Sequence, residues 1–238
     1  MDQTLVAQNK LLAALSPGVL ERWLPVLEPM DLPLGTVLYE SRETVKYVYF
    51  PATAIVSLLH VLEDGATAEI AVVGNEGIVG ISLFMGGEST PSRALVQSAG
   101  AGFRMDAAAF KNEFERSAAV MHLMLRYTQA LITQMAQTAV CNRHHDLDKQ
   151  LCRWLLLSLD RLKSNQLNMT QQLIADMLGV RREGVTEAAR KLQEAGLVQY
   201  ARGHITVLDR VGIEKRCCEC YSVVRQEYDR LLPVKTLG

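Results

Sequence analysis

The 238-residue chain has no uninterrupted apolar run near the roughly 18 residues that a membrane-spanning helix needs, so no membrane anchor is expected. Its opening, MDQTLVAQNK, is polar and lacks the apolar core of a secretory leader, which points to a cytoplasmic protein. Cysteine is scarce: the five residues are odd in number and irregularly spaced, which reads as reduced thiols rather than a disulfide framework. The sequence also lacks an HExxH helix, a Gly-rich phosphate loop and any nucleophile–base grouping, so a catalytic role is disfavoured. Net charge is nearly absent, at −1. That balance is uneven, however. Residues 1–146 hold 10 Lys and Arg against 15 Asp and Glu, a net of −5, and residues 147–238 hold 15 against 11, a net of +4. The basic excess sits in the C-terminal part, where phosphates would be met.

What is present is an apolar fraction of 49%, enough for a substantial core, in a chain long enough for one large or two ordinary domains. Residues 5–28 read as helical, with Leu11, Leu12, Leu15, Leu20, Trp23, Leu24 and Leu27 as apolar contacts. Pro17 after Ser16 fits a helix start. From Met30 to Met105 the runs TVLYES, KYVYF, IVSLLHVL, AEIAVV, RALVQS and GFRM alternate with the turns EDG, GNEG and MGGEST. Closely spaced strands with Gly-bearing turns predict an antiparallel barrel or double-sheet roll.

From Ala107 the pattern turns helical, and Ala118 to about Arg143 contains neither Gly nor Pro. Met121, Leu125, Thr128, Ile132, Met135, Ala139 and Asn142 follow a 4-3 spacing, the seam of a coiled coil, and predict a homodimer. A single amphipathic helix lying on its own domain has the same stripe, and the flank of Met124, Leu131 and Thr138 could serve that purpose. HHDLD is a polar break before the helical run LDKQLCRWLLLSLDRL. His144 and His145 are adjacent, poor geometry for one metal, and read as polar hinge residues. CCEC (217–220) contains no histidine and its neighbouring thiols diverge on a helix, so a free-thiol reading is preferred, with no metal and no cofactor expected.

Residues 169–198 carry the most information. Thr170 to Leu178 forms a short helix with Leu173, Ile174, Met177 and Leu178 inward. Gly179 supplies a stop. A second helix from Arg181 buries Val185, Ala188, Ala189 and Leu192, and presents Arg181, Arg182, Glu183 and Thr186 in its first turn. An ordinary helix pair would share the stripe, but this cationic start presents base-reading side chains, as a DNA-reading helix does. LVQY, ARG and HITVL then supply two strands and a basic turn, a wing. Arg can bond guanine in bidentate fashion and Glu can accept from the cytosine amino group. Thr170, Gln171 and Gln172, with Arg190, Arg202 and His204, are candidates for the remaining DNA contacts, chiefly to phosphate.

A β-roll, a long helix and a winged helix-turn-helix in that order resemble the Crp/Fnr superfamily of bacterial transcription regulators. TQQLIADMLGVRREGVT fits that family's pattern of Thr, Gln, apolar helix, Gly and Arg-Glu, with Arg182 and Glu183 at the pair. The resemblance implies an α+β fold: a cyclic-nucleotide-binding-like sensory roll (1–112), a dimerisation helix and hinge (113–146) and a winged helix-turn-helix with a C-terminal tail (147–238). It implies double-stranded DNA and a second copy as partners, and RNA polymerase contact if the protein activates. Where the cyclic-AMP receptor branch has a second Arg, this chain has Glu187. The family's phosphate cassette maps onto Gly80, Ile81 and Ser82 and onto Ser92, Arg93 and Ala94. Ile81 replaces the ribose-binding Glu, and the Arg falls one place late, which turns it to the other face of a strand. Met135 and Ala136 stand where that branch has adenine-contacting hydroxyls. Cyclic AMP is therefore not the expected effector, which stays unnamed. No cysteine precedes Cys141, so the N-terminal iron–sulfur ligands of the oxygen-sensing branch are missing. Two rivals differ in class: a small-molecule enzyme using the winged helix for interaction, and a cyclic-nucleotide or other small-anion signalling module with a vestigial helix-turn-helix.

Overall fold

The computed structural model describes residues 2–201 and 203–232. The N-terminal helical stretch is three short helices, α1 (Gln3–Val6), α2 (Lys10–Ala13) and α3 (Pro17–Trp23), the last starting at Pro17 as its Ser16–Pro17 pair predicts. Asn9 makes the cut. Its side-chain oxygen caps the Leu11 and Leu12 N–H groups at 3.1 Å, and its amide donates to the Pro51 and Gly77 carbonyls at 2.8 and 2.9 Å. One buried side chain thereby starts α2 and ties it to the roll. Trp23 from α3 then seats its ring 5.8 Å from Phe50 and Phe110, in an aromatic nest at one end of the core.

The roll holds seven strands in two antiparallel sheets. β1 (Glu28–Leu32), β7 (Gly100–Asp106) and β3 (Tyr47–Pro51) form one in that order. β2 (Val37–Tyr39), β6 (Ser92–Ser98), β4 (Ile55–Val61) and β5 (Thr67–Val73) form the other. β1 was not among the expected strands, because Pro29 and its acidic residues hide it. Edge position tolerates the proline, and Glu28 opposite Arg104 forms a cross-strand ion pair.

After α4 (Ala107–Arg116) comes the long helix α5 (Ala118–His144). Its inward face carries Tyr127, Leu131, Gln134, Thr138 and Cys141, and Gln134 donates to the Val72 carbonyl of β5 at 2.9 Å. The C-terminal part comprises α6 (Leu147–Leu159), β8 (Gln166–Asn168), α7 (Gln171–Leu178), α8 (Arg182–Glu194), β9 (Val198–Ala201), β10 (His204–Val207), α9 (Arg210–Arg216) and α10 (Glu219–Leu231). β8 adds a third strand to the expected two, in the order β8-β10-β9. α10, also unanticipated, lies along α5, with Tyr228 edge-on to Tyr127 at 6.4 Å.

Buried polar contacts join the roll to the C-terminal part. Arg161, after α6, meets Glu76 of the roll at 2.8 Å, Gln134 of α5 at 3.2 Å and the Leu157 carbonyl. Gln97 of β6 donates to Ser158 of α6 at 3.3 Å, and the Ser57 hydroxyl lies 2.6 Å from both Gln97 and Glu69. Glu69 is buried, and burial lifts its carboxyl from 4.5 to about 7 against the opposing pull of the Ser57 hydroxyl, Arg153 and Arg161. Protonated Glu69 can donate to Ser57, Ser57 to the Gln97 oxygen, and the Gln97 amide to Ser158, so the three donors in series each find an acceptor.

This sets a pH dependence. The folded protein holds the Glu69 proton more tightly than the unfolded chain does. Its contribution to stability is complete below about 4.5 and is lost as pH rises through about 7. A change of that size in a buried group is worth about 3 kcal/mol. Glu69→Gln should remove that loss, so urea midpoints of wild type and variant should diverge between pH 5 and pH 8, with the variant the more stable at pH 8. Parallel pH profiles would show that Glu69 is ionised when folded.

Candidate nucleic-acid interface and sensory roll

α7 begins at Thr170, whose hydroxyl oxygen caps the Leu173 N–H at 3.1 Å and keeps its own proton free to donate outward. The helix stops at Gly179, where φ is +65° and an added Cβ would touch Ala68 of β5 at 3.4 Å. The positive φ selects glycine, while the contact with Ala68 is an ordinary one. Arg181 is the N-cap residue of α8, one residue earlier than the helix itself begins. Val185, Ala188, Ala189 and Leu192 pack inward as their spacing predicted.

Arg181, Arg182, Glu183, Thr186, Glu187 and Arg190 all lie exposed on α8 or at its start. Their environments differ. Arg190 is bracketed by Glu187 and Glu194, and its guanidinium holds the Glu187 carboxyl below the usual range. Among the described residues, Arg181 and Arg182 have no carboxylate within ion-pair range. Thr186 donates to Gln171 at 2.7 Å, so this pair fastens α7 to α8, and Gln172 donates to Asp176 at 2.8 Å. His204 is exposed at the start of β10, with Nδ1 2.7 Å from Asn168 on β8. Arg202, in the wing turn, lies outside the described residues.

In the roll, Gly80 turns with φ of +106° into a single 3-10 turn formed by Ile81, Ser82 and Leu83. The Ser82 carbonyl accepts from Gly87 at 3.0 Å, closing the loop on itself. Ser92 and Ala94 are buried, paired across β4 with His60 and Leu58. Arg93 projects from the opposite face and bonds Glu40 at 2.7 Å. The face shared by Ser92, Ala94 and Val96 thus receives no cation from Arg93.

The spaced residues of α5 do not all share one environment. Leu125 and Ile132 are 48% and 52% exposed, Ala139 and Asn142 are exposed, and Met121 and Met135 are half-buried. Thr128 is the exception. It is buried within its own chain with its hydroxyl on the Met124 carbonyl at 2.9 Å, because the helix face drifts relative to a strict seven-residue repeat.

The thiols form a group that the sequence reading did not assemble. Cys141 and His145 close α5 four residues apart, on one face, and Cys218 and Cys220 open α10. Their four ligand atoms all lie within 4.8 Å of one another. The histidine missing from CCEC therefore comes from another helix. The i, i+4 spacing of Cys141 and His145 was the available signal.

Two domain families match the chain: the cyclic nucleotide-binding domain over residues 29–117 and the Crp-like helix-turn-helix domain over residues 149–216. A search of proteins with curated descriptions gave no match. Solved structures with the same fold include a transcriptional regulator of the Crp/Fnr family from Eubacterium rectale, at 19% identity, covering 86% of this chain and 96% of that one with a TM-score of 0.68. FixK2 from Bradyrhizobium japonicum matches at 17% identity, 81% and 98% coverage and a TM-score of 0.68. The c-di-GMP-responsive regulator CLP of Xanthomonas campestris matches at 16% identity, 82% and 100% coverage and 0.64. With both domains matched in order, and the roll, long helix and helix-turn-helix arranged as above, the chain belongs to the proteins that join a cyclic nucleotide-binding domain to a Crp-like helix-turn-helix domain.

Proposed function

We propose that the protein is a homodimeric, sequence-specific DNA-binding regulator whose roll answers to something other than cyclic AMP. The observation that carries this is the first turn of α8, where Arg181, Arg182 and Glu183 stand exposed beside the β9–β10 wing. A major groove admits a helix in this orientation, and its first turn reaches base edges. Arg182 reads a base. Arg190, held between two carboxylates, contributes little to phosphate binding. Arg182→Ala should cost roughly 1–3 kcal/mol per half-site at one symmetric base-pair position. The check is a set of operator variants titrated with each protein. Equal weakening on every sequence would make Arg182 a phosphate contact only.

The second copy docks along α5. Leu125, Ile132 and Val140 are large apolar side chains left about half exposed on one long helix, and a two-fold partner would cover them. Two-fold symmetry also matches the paired half-sites that helix-turn-helix proteins read. Leu125→Glu with Ile132→Glu introduces charge only at exposed positions, so the fold should survive. Sedimentation should then report monomers. An unchanged dimer would put the interface elsewhere.

Cyclic AMP lacks its usual partners here. Ile81 stands at the ribose-binding position, and Arg93 is turned away onto Glu40. A phosphate buried without a paired cation is costly. Calorimetry should detect no micromolar cyclic-AMP binding, and tight binding would overturn this assignment.

A further inference from the structure

We propose that Cys141, His145, Cys218 and Cys220 form a closed tetrahedral site for zinc. The case begins with distances. A zinc ion about 2.3 Å from sulfur and about 2.0 Å from nitrogen sets tetrahedral edges of about 3.8 Å between sulfurs and about 3.5 Å from sulfur to nitrogen. Cys141 Sγ and Cys218 Sγ are 3.6 Å apart, and Cys220 Sγ is 3.6 Å from His145 Nδ1. Every other ligand pair falls within 4.8 Å, so small side-chain rotations close the remaining edges. A disulfide would need about 2.0 Å between sulfurs, and all five cysteines are free.

The surroundings fit the same ion. The three ligating cysteines are buried, and His145 is mostly buried, so no open coordination position faces solvent as it would in a catalytic site. His145 turns Nδ1 toward the thiols and Nε2 toward Glu219, 3.5 Å from its carboxylate. A ligating histidine that gives its other N–H to a carboxylate is the usual outer support of a zinc site. Cys218 and Cys220 sit at the N-terminus of the 13-residue α10, whose dipole favours thiolates. The buried Arg153 has an Nε without a partner among the described residues and lies close to Cys141. Its positive charge offsets the excess negative charge of three thiolates around one divalent ion. Binding converts three thiols to thiolates and releases three protons, with no change in oxidation state.

The experiment uses the full chain purified without chelators under reducing conditions. Elemental analysis should find one zinc per chain, and Co2+ in its place should give the visible absorption of a tetrahedral thiolate centre. Cys218→Ser and Cys220→Ser should abolish stoichiometric metal, whereas Cys217→Ser and Cys152→Ser, outside the cluster, should keep it. Glu219→Gln should weaken zinc binding roughly 10–100-fold. If the ligand variants fail to fold, wild type still decides the matter: a chelator should lower its melting temperature, and added zinc should restore it. Wild type that holds no zinc and takes up no Co2+, an iron–sulfur chromophore in its place, or equal metal loss in the Cys217→Ser control would each overturn the site.

Discussion

The guanidinium of Arg161 is the point on which the two halves of this chain agree. It is buried, and its donors reach Glu76 of the roll, Gln134 of the long helix and the Leu157 carbonyl of α6. Its plane also lies 5.8 Å from the Tyr228 ring of α10. Such an ion pair is a weak source of net stability, since desolvation offsets most of the attraction, but stranding one partner costs about 3–5 kcal/mol. The constraint is therefore geometric. Elements on both sides must meet at one place or leave a charge unpaired. Gly74 fits the same logic: a Cβ there would come within 2.7 Å of the Arg161 side chain, so the roll can approach this closely only without one.

A second seam runs through Glu69, Ser57, Gln97 and Ser158, and it has a different character. Here one proton on Glu69 lets the chain of donors and acceptors close. The seam joins β4, β5 and β6 to α6, the helix that leads into the winged helix-turn-helix. A change within the four-stranded sheet reaches α6 through hydrogen bonds rather than through loose apolar contact. That is a physical basis for coupling the roll to the helix-turn-helix domain.

Much of this architecture was legible in the sequence, and the residues show why. The helix-turn-helix was readable because Gly179, the inward stripe of α8 and the Arg-Glu start are local signals, each tied to one backbone requirement. The strands with alternating Val, Ile and Tyr were readable for the same reason. β1 was not, because its pairing depends on Arg104, more than seventy positions away. The break at Asn9 was hidden as well, since its partners Pro51 and Gly77 come from the roll. Thr128 shows the limit of a repeat. Spacing names a stripe, but contacts with the chain's own roll decide which of its members stay exposed. The thiol group was illegible for a plainer reason: CCEC without a histidine looks incomplete until α10 folds back on α5.

That return of α10 changes how the hinge after α5 should be understood. The Crp-like helix-turn-helix match ends at Arg216, and α10 follows it. The helix is fixed near both ends to elements outside the winged domain. At its start, Cys218 and Cys220 meet Cys141 and His145 at the end of α5. Near its other end, Tyr228 lies against Tyr127 of α5 and beneath Arg161. A polar break between α5 and α6 would by itself leave the winged helix-turn-helix free to swing. Here a rotation at that break must drag α10 with it, and so must disturb either the thiol group or the aromatic contact. Orientation of α8 is thus constrained by the strap from Cys218 to Tyr228 as well as by the residues that link α5 to α6.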